Sequence, residues 1–164
     1  MPRLENTKAA MLEPAQIVQT EARPAAIIRI TIPRAEIRRV MEPAIRELID
    51  GLAAQGIAPA GPLYSYHLNT DAEMFDFELG IPVDTPVSAA GRIRAGQLPA
   101  AKVLRTIYRG SYEGLHDAWK EFGNVLAATG HTRASGLWES YVAGPEASPD
   151  PANWRTELNL PIAP

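Results

Sequence analysis

The chain has 164 residues, of which 46% are hydrophobic and 21% charged, with a net charge of −3. This balance predicts one folded domain with a buried core, excludes a disordered chain, and gives no general basic surface for nucleic acid. The chain has no cysteine, which excludes disulfides and thiolate nucleophiles or metal ligands. Since it also has neither an apolar run of about 18 residues nor an apolar signal core near its start, we expect a cytoplasmic protein without membrane contact.

The first half of the chain predicts a strand, an amphipathic helix and two further strands. The first strand is rich in β-branched residues, and the helix carries apolar side chains every three or four positions. Pro43 lies inside the helical pattern and marks either a kink or the true first turn. After a lead-in at 1–12 and a short strand at 17–21, the predicted elements are a strand at 25–32, a helix at 36–55, an aromatic strand at 63–68, a polar turn at 69–73 and a closing strand at 74–83.

The second half of the chain repeats this order. Residues 24–26 and 99–101 both read Pro-Ala-Ala. Both closing strands contain the pattern Glu-Leu-x-x-Pro, where x is any residue. A connection rich in proline, glycine and alanine at 84–96 separates the copies. The second copy is predicted as a strand at 101–108, a helix at 112–128, an aromatic strand at 137–142 and a closing strand at 154–162.

Such a repeat predicts an α+β fold made by tandem duplication of a β-α-β-β module. We expect pseudo-two-fold symmetry, a mixed or antiparallel sheet, two helices on one face and a central ligand cleft between the copies. The expected domain covers 13–164, with repeat one at about 17–86 and repeat two at about 97–162.

The two copies differ in their aromatic strands. One alignment sets Ser65 against Glu139, and a shift by one residue sets Tyr66 against Tyr141 instead; the sequence allows both. In either case only the second copy has a carboxylate inside this strand. Strand alternation places Glu139 on one face together with Leu137 and Tyr141.

A carboxylate on this face has two interpretations. Glu139 is either a solvent-facing residue at a sheet edge, or the floor of an aromatic pocket, where it would attract a cation or transfer a proton.

Trp119 lies on the apolar stripe of the second helix and is interpreted as a core residue. Glu78 and Glu157 occur at equivalent positions and are interpreted as structural. The other aromatic residues that would line such a pocket are Tyr64, Tyr66, Phe75, Tyr108, Tyr112, Tyr141 and Trp154.

The sequence indicates no metal site and no cofactor. Its three histidines fall on a strand, a helix and a turn, without the spacing of metal ligands. Glycine-rich phosphate signatures and the GxSxG elbow are absent. A local group of arginines predicts a solvated helix face. The histidines are His67, His116 and His131, and the arginines are Arg34, Arg38, Arg39 and Arg46.

Several C-terminal motifs carry a resemblance. Residues 138–141 read Trp-Glu-Ser-Tyr, Gly-Pro and Ser-Pro pairs follow, and residues 154–162 read Trp-Arg-Thr-Glu-Leu-Asn-Leu-Pro-Ile. With these motifs the chain resembles the GyrI-like small-molecule-binding family, whose module is also the effector-binding domain of AraC-type and MerR-type multidrug regulators. The resemblance extends over about residues 13–162 and agrees with the tandem duplication.

The resemblance implies a central pocket with Glu139 at its base, where cationic, lipophilic aromatic ligands pair with it. Tyr141 would lie beside it. No helix-turn-helix precedes the module, so we expect a stand-alone member without direct DNA binding. The further ligand contacts that it implies are Tyr108, Tyr64, Tyr66, Tyr112 and Trp138.

Three functions follow as hypotheses. The first is binding or sequestration of a lipophilic aromatic cation. The second is hydrolysis of cyclopropane-containing DNA alkylators, a form of toxin resistance, with Glu139 as the acid or base and Tyr108 or Tyr141 orienting the electrophile. The third is a protein partnership that modulates DNA gyrase. The sequence does not separate the first two, since both require an acid among aromatic residues.

Overall fold

The computed structural model describes residues 11–69 and 73–164. Within them, one antiparallel sheet carries two helices. The strands are β1 Gln16–Gln19, β2 Arg23–Pro33, β3 Tyr64–Asn69, β4 Met74–Pro82, β5 Arg94–Leu98, β6 Lys102–Arg109, β7 Leu137–Ala143 and β8 Arg155–Pro161, and the helices are α1 Ile37–Ala54 and α2 Leu115–Thr129. The strand order is β1-β6-β8-β7-β3-β4-β2-β5, and all neighbouring strands are antiparallel.

Both helices pack on the same face of this sheet. The apolar stripe of α1 meets β2 and β4, and that of α2 meets β6 and β8. One row of directly opposed residues crosses the four central strands: Leu79, Ser65, Glu139 and Leu158. Side chains of directly opposed residues lie on the same face of a sheet. Because Leu79 lies under α1 and Leu158 under α2, the two helices are on the same face. The predicted α+β class with two helices on one face is confirmed.

Pro43 lies within α1, and the helix continues without interruption from Ile37 to Ala54. A proline inside a helix costs about 3 kcal/mol through the lost hydrogen bond and a steric clash. The helix is held by its buried stripe, where Ala44, Leu48 and Leu52 are almost inaccessible to solvent. Of the two alternatives for Pro43, a helix that starts at this residue is therefore wrong.

The two modules, β2-α1-β3-β4 and β6-α2-β7-β8, meet where β3 pairs with β7. Ser65 faces Leu79 in the first hairpin as Glu139 faces Leu158 in the second, and Ser65 and Glu139 face each other across the junction. The alignment of Ser65 with Glu139 is therefore confirmed. The shifted alternative fails because Tyr66 faces Trp138 on the opposite side of the sheet.

The edges of the sheet differ from the prediction. Residues 84–96 were expected to be a connection only, but β5 begins at Arg94 and pairs with β2. The predicted strand at 17–21 is found as β1, which pairs with β6 of the second module rather than with β2. The predicted lead-in at 1–12 and the polar turn at 69–73 fall mostly outside the described residues. Within those residues, no helix is long and apolar enough to cross a membrane.

An apolar cluster also covers the face of the sheet that lies away from the helices. Tyr64 and Trp138 are buried there against Leu98 and Val103, which flank the β5–β6 connection. The Thr20 hydroxyl donates to the carbonyl of Pro99 at 3.0 Å and fixes that connection. Both faces of the central strands are thus covered.

This packing predicts opposite effects for two glycine substitutions. A Cβ at Gly80 would overlap the buried Tyr64 ring, so Gly80→Ala should lower the free energy of unfolding by about 1–3 kcal/mol. Gly123 is exposed on α2 with no neighbouring atom within 4 Å, so Gly123→Ala should raise that free energy by about 0.5–1 kcal/mol. Urea denaturation measures both, and equal effects would contradict the packing.

Candidate functional site

Glu139 lies in the middle of the sheet, where the two modules meet. Its strand β7 has neighbours on both sides, β3 and β8. Its side chain is on the helix face, and the residue is only 8% exposed. The alternative of a solvent-facing glutamate at a sheet edge is therefore wrong, because β7 is central and α2 covers it.

Two aromatic side chains hydrogen-bond the Glu139 carboxylate, one to each oxygen. The indole Nε1 of Trp119 donates to Oε1 at 2.8 Å, and the hydroxyl of Tyr141 donates to Oε2 at 2.8 Å. Ser65 Oγ lies 2.7 Å from the same Tyr141 hydroxyl. Because that hydroxyl has one proton and gives it to Glu139, Ser65 must be the donor to Tyr141. A chain of hydrogen bonds therefore runs from the first module to the carboxylate.

Trp119 was interpreted as a core residue, and it does pack against the apolar cluster under α2. Its ring does pack on Phe122, with the ring centroids 6.0 Å apart. However, α2 directs the indole N–H at Glu139. The N–H of a partly buried tryptophan usually has a hydrogen-bond partner. The sequence could therefore predict a bond for Trp119, but not that Glu139 is its acceptor.

Burial raises the pKa of the Glu139 carboxyl above its ordinary value. The hydrogen bonds from Trp119 and Tyr141 favour the ionised form and oppose this shift without cancelling it. Burial also raises the pKa of Tyr141, and the nearby Glu139 raises it further, so Tyr141 remains a donor. The site therefore holds a carboxylate whose charge is only partly compensated.

A histidine on the same face of β3 adds no positive charge. His67 stacks on Phe77 with the ring centroids 5.1 Å apart. Burial, together with nearby Arg34, lowers the pKa of His67 to about 4, so its imidazole is neutral at pH 7. Within residues 11–69 and 73–164, no cluster of histidines and acids is arranged to hold a metal ion.

An aromatic wall continues from Tyr141. The ring of Tyr112 meets Tyr141 edge-on, with centroids 5.7 Å apart, and lies 5.0 Å from the ring of Trp154. Trp154 is fixed by its indole N–H, which donates to the Ser148 carbonyl at 2.8 Å. Gly144 lies beside the Tyr112 hydroxyl, where a Cβ would overlap it. Tyr112 is 38% exposed and is the solvent-side member of this wall.

Three of the aromatic residues expected to contact a ligand lie on the other face. Tyr64, Tyr66 and Trp138 alternate with Ser65 and Glu139 along their strands, so they point away from the helices. The structure therefore does not bring them together with Glu139.

Tyr108 is on the helix face but is used locally. It packs in the core under α2, and its hydroxyl donates to the carbonyl of Ser111 at 2.9 Å. Of the predicted site residues, the structure brings together Glu139, Tyr141 and Tyr112. Trp119 and Ser65 complete this cluster, which we call the Glu139 cluster.

The members of the Glu139 cluster differ in exposure: Ser65 and Glu139 are buried, Trp119 and Tyr141 are partly buried, and Tyr112 is exposed. Two surface depressions lie elsewhere: one follows the outer face of α1 from Arg38 to Asp50, and the other lies between Met11 and α2. Members of the Glu139 cluster line neither of them. An ion pair at 3.5 Å joins Arg38 of α1 to Glu113, the neighbour of Tyr112, and so connects the helical layers of the two modules at the surface.

The raised pKa of Glu139 predicts a specific pH dependence of stability. The unfolded chain loses the Glu139 proton near the ordinary value and the folded chain at higher pH, so the free energy of unfolding falls as pH rises between these values. Glu139→Gln removes the free-energy cost of ionising a buried carboxyl. The stability of this variant relative to wild type should therefore increase with pH. Urea denaturation between pH 4 and pH 8 measures the difference.

A second carboxyl provides a control of opposite sign. The hydrogen bond from Arg92 lowers the pKa of Glu47, so its contribution to stability is present at neutral pH and is lost on acidification. Glu47→Gln should therefore lose a little stability at pH 7 and converge with wild type at low pH. If the stability of both variants relative to wild type changed with pH in the same direction, a raised pKa of Glu139 would be contradicted.

Solved structures with the same fold were found by comparison. The C-terminal domain of EcmrR has a TM-score of 0.80 at 19% identity, covering 92% of this chain and 97% of that chain. EcmrR in its complex with DNA also has a TM-score of 0.80 at 19% identity; the match covers 98% of this chain, which spans only 62% of that longer protein. SAV2435 bound to tetraphenylphosphonium has a TM-score of 0.64 at 10% identity, covering 92% and 94%. A hydrolase from Listeria innocua has a TM-score of 0.65 at 11% identity, covering 99% and 98%.

These identities are low, and the structures establish the fold alone. A comparison with curated proteins found no match. The model of one protein family does match, over residues 14–163, and its description is the GyrI-like small molecule binding domain. The matched region is nearly the whole chain and contains the complete Glu139 cluster. The chain belongs to the GyrI-like small-molecule-binding domain family.

Proposed function

We propose that the chain binds lipophilic aromatic cations at the Glu139 cluster. The observation that carries this proposal is the buried Glu139 carboxylate, held between Trp119 and Tyr141 with a pKa above its ordinary value. A carboxylate of this kind gains most from a cation that can enter an apolar site. Small hydrated ions are poor candidates, since they would lose their hydration shell without a set of replacement ligands.

The hydrogen-bonding capacity of Glu139 supports this choice. A carboxylate has about four lone-pair positions, and Trp119 and Tyr141 use two of them. Among residues 11–69 and 73–164 no other side chain donates to this carboxylate, so its remaining capacity can serve a positively charged group. The aromatic wall of Tyr112, Tyr141 and Trp154 offers ring faces and edges to the same ligand. Each cation–π contact adds about 0.5–2 kcal/mol.

The comparisons support the same class of ligand. The family is one of small-molecule-binding domains, and SAV2435, which shares the fold, binds tetraphenylphosphonium. In that compound four phenyl rings surround a positively charged phosphorus, so it is a lipophilic aromatic cation and a suitable first probe for this chain.

Titration with tetraphenylphosphonium tests the proposal. We expect Glu139→Gln to weaken binding by about 10- to 100-fold, because a buried charge pair is lost. Glu157→Gln is the matched control, since it removes a glutamate from the adjacent strand on the other face and should leave binding within about twofold. Isothermal titration calorimetry measures both. Equal affinities of wild type and Glu139→Gln would refute the proposal.

The affinity for a permanent cation should also depend on pH. Binding requires the ionised Glu139, whose pKa burial raises in the free protein. The affinity should therefore increase as pH rises through that pKa, with release of a proton on binding below it. Glu139→Gln should show no such increase, and calorimetry in buffers of different ionisation enthalpy counts the released protons.

A second candidate function is hydrolysis of cyclopropane-containing alkylators. The raised pKa of Glu139 favours it, because a stronger base takes a proton from water more readily. The water oxygen would bond to a ring carbon as its proton passes to Glu139, and the electron pair of the broken ring bond would pass into the conjugated carbonyl. The carbonyl oxygen would then take up the proton from Glu139, which restores the carboxylate. Incubation with such a compound and mass spectrometry for the water adduct tests this candidate; turnover that survives in Glu139→Gln would exclude this role for Glu139. A gyrase partnership stays a prediction.

A further inference from the structure

Two fully buried hydroxyl groups have no hydrogen-bond partner within residues 11–69 and 73–164. They belong to Tyr64 and Thr156, both 0% exposed. Two other buried hydroxyls of this sheet are paired: Thr106 donates to the carbonyl of Glu13, and Ser65 bonds Tyr141. Leaving a buried hydroxyl unpaired costs free energy, so each of the two exceptions needs a physical account.

Thr156 lies at the edge of the Glu139 cluster. It is directly opposite Tyr141 on β7 and directly opposite Tyr108 on β6, so all three side chains share the helix face. Directly opposed residues have Cβ atoms about 4.5–5.5 Å apart. The Thr156 hydroxyl is therefore beside the tyrosine that hydrogen-bonds Glu139.

Neither neighbouring tyrosine hydrogen-bonds this hydroxyl, and both have already used their only donor proton. Tyr108 gives its proton to the carbonyl of Ser111, and Tyr141 gives its proton to Glu139 and accepts from Ser65. Valine has the same shape as threonine and would fill the position without an unpaired group. The threonine hydroxyl thus adds nothing to the packing of the free protein, but it adds a donor and an acceptor beside the site.

We propose that Thr156 is a specificity-determining residue whose hydroxyl hydrogen-bonds a polar substituent of the bound aromatic cation. This inference rests on the proposed function. It narrows the ligand class to aromatic cations that carry a hydroxyl, amino, ether or carbonyl group, and it makes a purely hydrocarbon cation such as tetraphenylphosphonium a weaker ligand.

Two probes of nearly equal size test this inference. Tetraphenylphosphonium has no hydrogen-bonding group, and (4-aminophenyl)triphenylphosphonium adds one amino group that is neutral at pH 7. Wild type should bind the amino compound about three- to tenfold more tightly, the gain of one hydrogen bond. Thr156→Val should bind both probes equally.

Tyr64→Phe is the matched control. It removes the other unpaired hydroxyl, which lies on the opposite face of the sheet, so the preference for the amino probe should persist. Both variants should shift the midpoint of urea denaturation upward, because each removes an unpaired buried polar group. A lowered midpoint for Thr156→Val would show that the hydroxyl has a structural partner and would overturn the inference.

The failure of this inference differs from the failure of the proposed function. If tetraphenylphosphonium binds in a Glu139-dependent manner and wild type shows no preference for the amino probe, only the role of Thr156 is refuted. The same holds if Thr156→Val keeps the preference. If neither probe binds, or if Glu139→Gln binds both as wild type does, the site itself is refuted and the role of Thr156 with it.

Discussion

Burial of one carboxylate at the centre of a sheet is the constraint to which the surrounding side chains respond. Glu139 lies where no water can reach most of its surface, so the protein must supply the donors. It takes them from a helix of its own module and from its own strand, and the strand donor is in turn held by Ser65 of the other module. The junction of the two modules is consequently organised around a charge that the protein compensates only in part.

The duplicated fold gives this asymmetry a physical reason. Ser65 and Glu139 are equivalent positions, and they face each other directly across the β3–β7 pair. If both copies had a glutamate here, two buried carboxylates would lie side by side, which is strongly unfavourable. A serine in the first copy avoids the repulsion, and its hydroxyl supports Tyr141 instead. The serine in the first copy thus leaves Glu139 without a like-charged neighbour across the junction.

Much of the fold could be predicted from the sequence, because it follows from local periodicity and from the repeat. The β-branched run before Pro33, the apolar stripe around Leu48 and the equivalent closing strands each indicate their element without knowledge of the partner. The short strand β5 could not be predicted in this way, since Arg94–Leu98 has little strand character of its own and is defined by its pairing with β2.

The site was predictable in its acid and in two of its tyrosines, Tyr141 and Tyr112. Strand alternation already places Trp138 and Glu139 on opposite faces of the sheet. In the structure, Tyr64 and Tyr66 lie on the same face as Trp138. The indole of Trp119 could not be assigned from the sequence, because helical spacing gives a residue's face but not which strand atom its N–H meets. Thr156 lacks a sequence signal altogether; only the pairing of its neighbours shows that its hydroxyl is unused.

The edge strands have a consequence for how the chain folds. Strand β1 precedes the first module in the chain but pairs with β6, at the edge of the second module. Strand β5 follows the first module and pairs with β2 of that same module. A cut between the modules would leave β1 without the strand it pairs with. The two copies are therefore interlocked, and we expect them to unfold in a single cooperative transition rather than as two independent units. The pairing of β1 with β6 joins residues far apart in the sequence, which favours slow folding for a chain of this size.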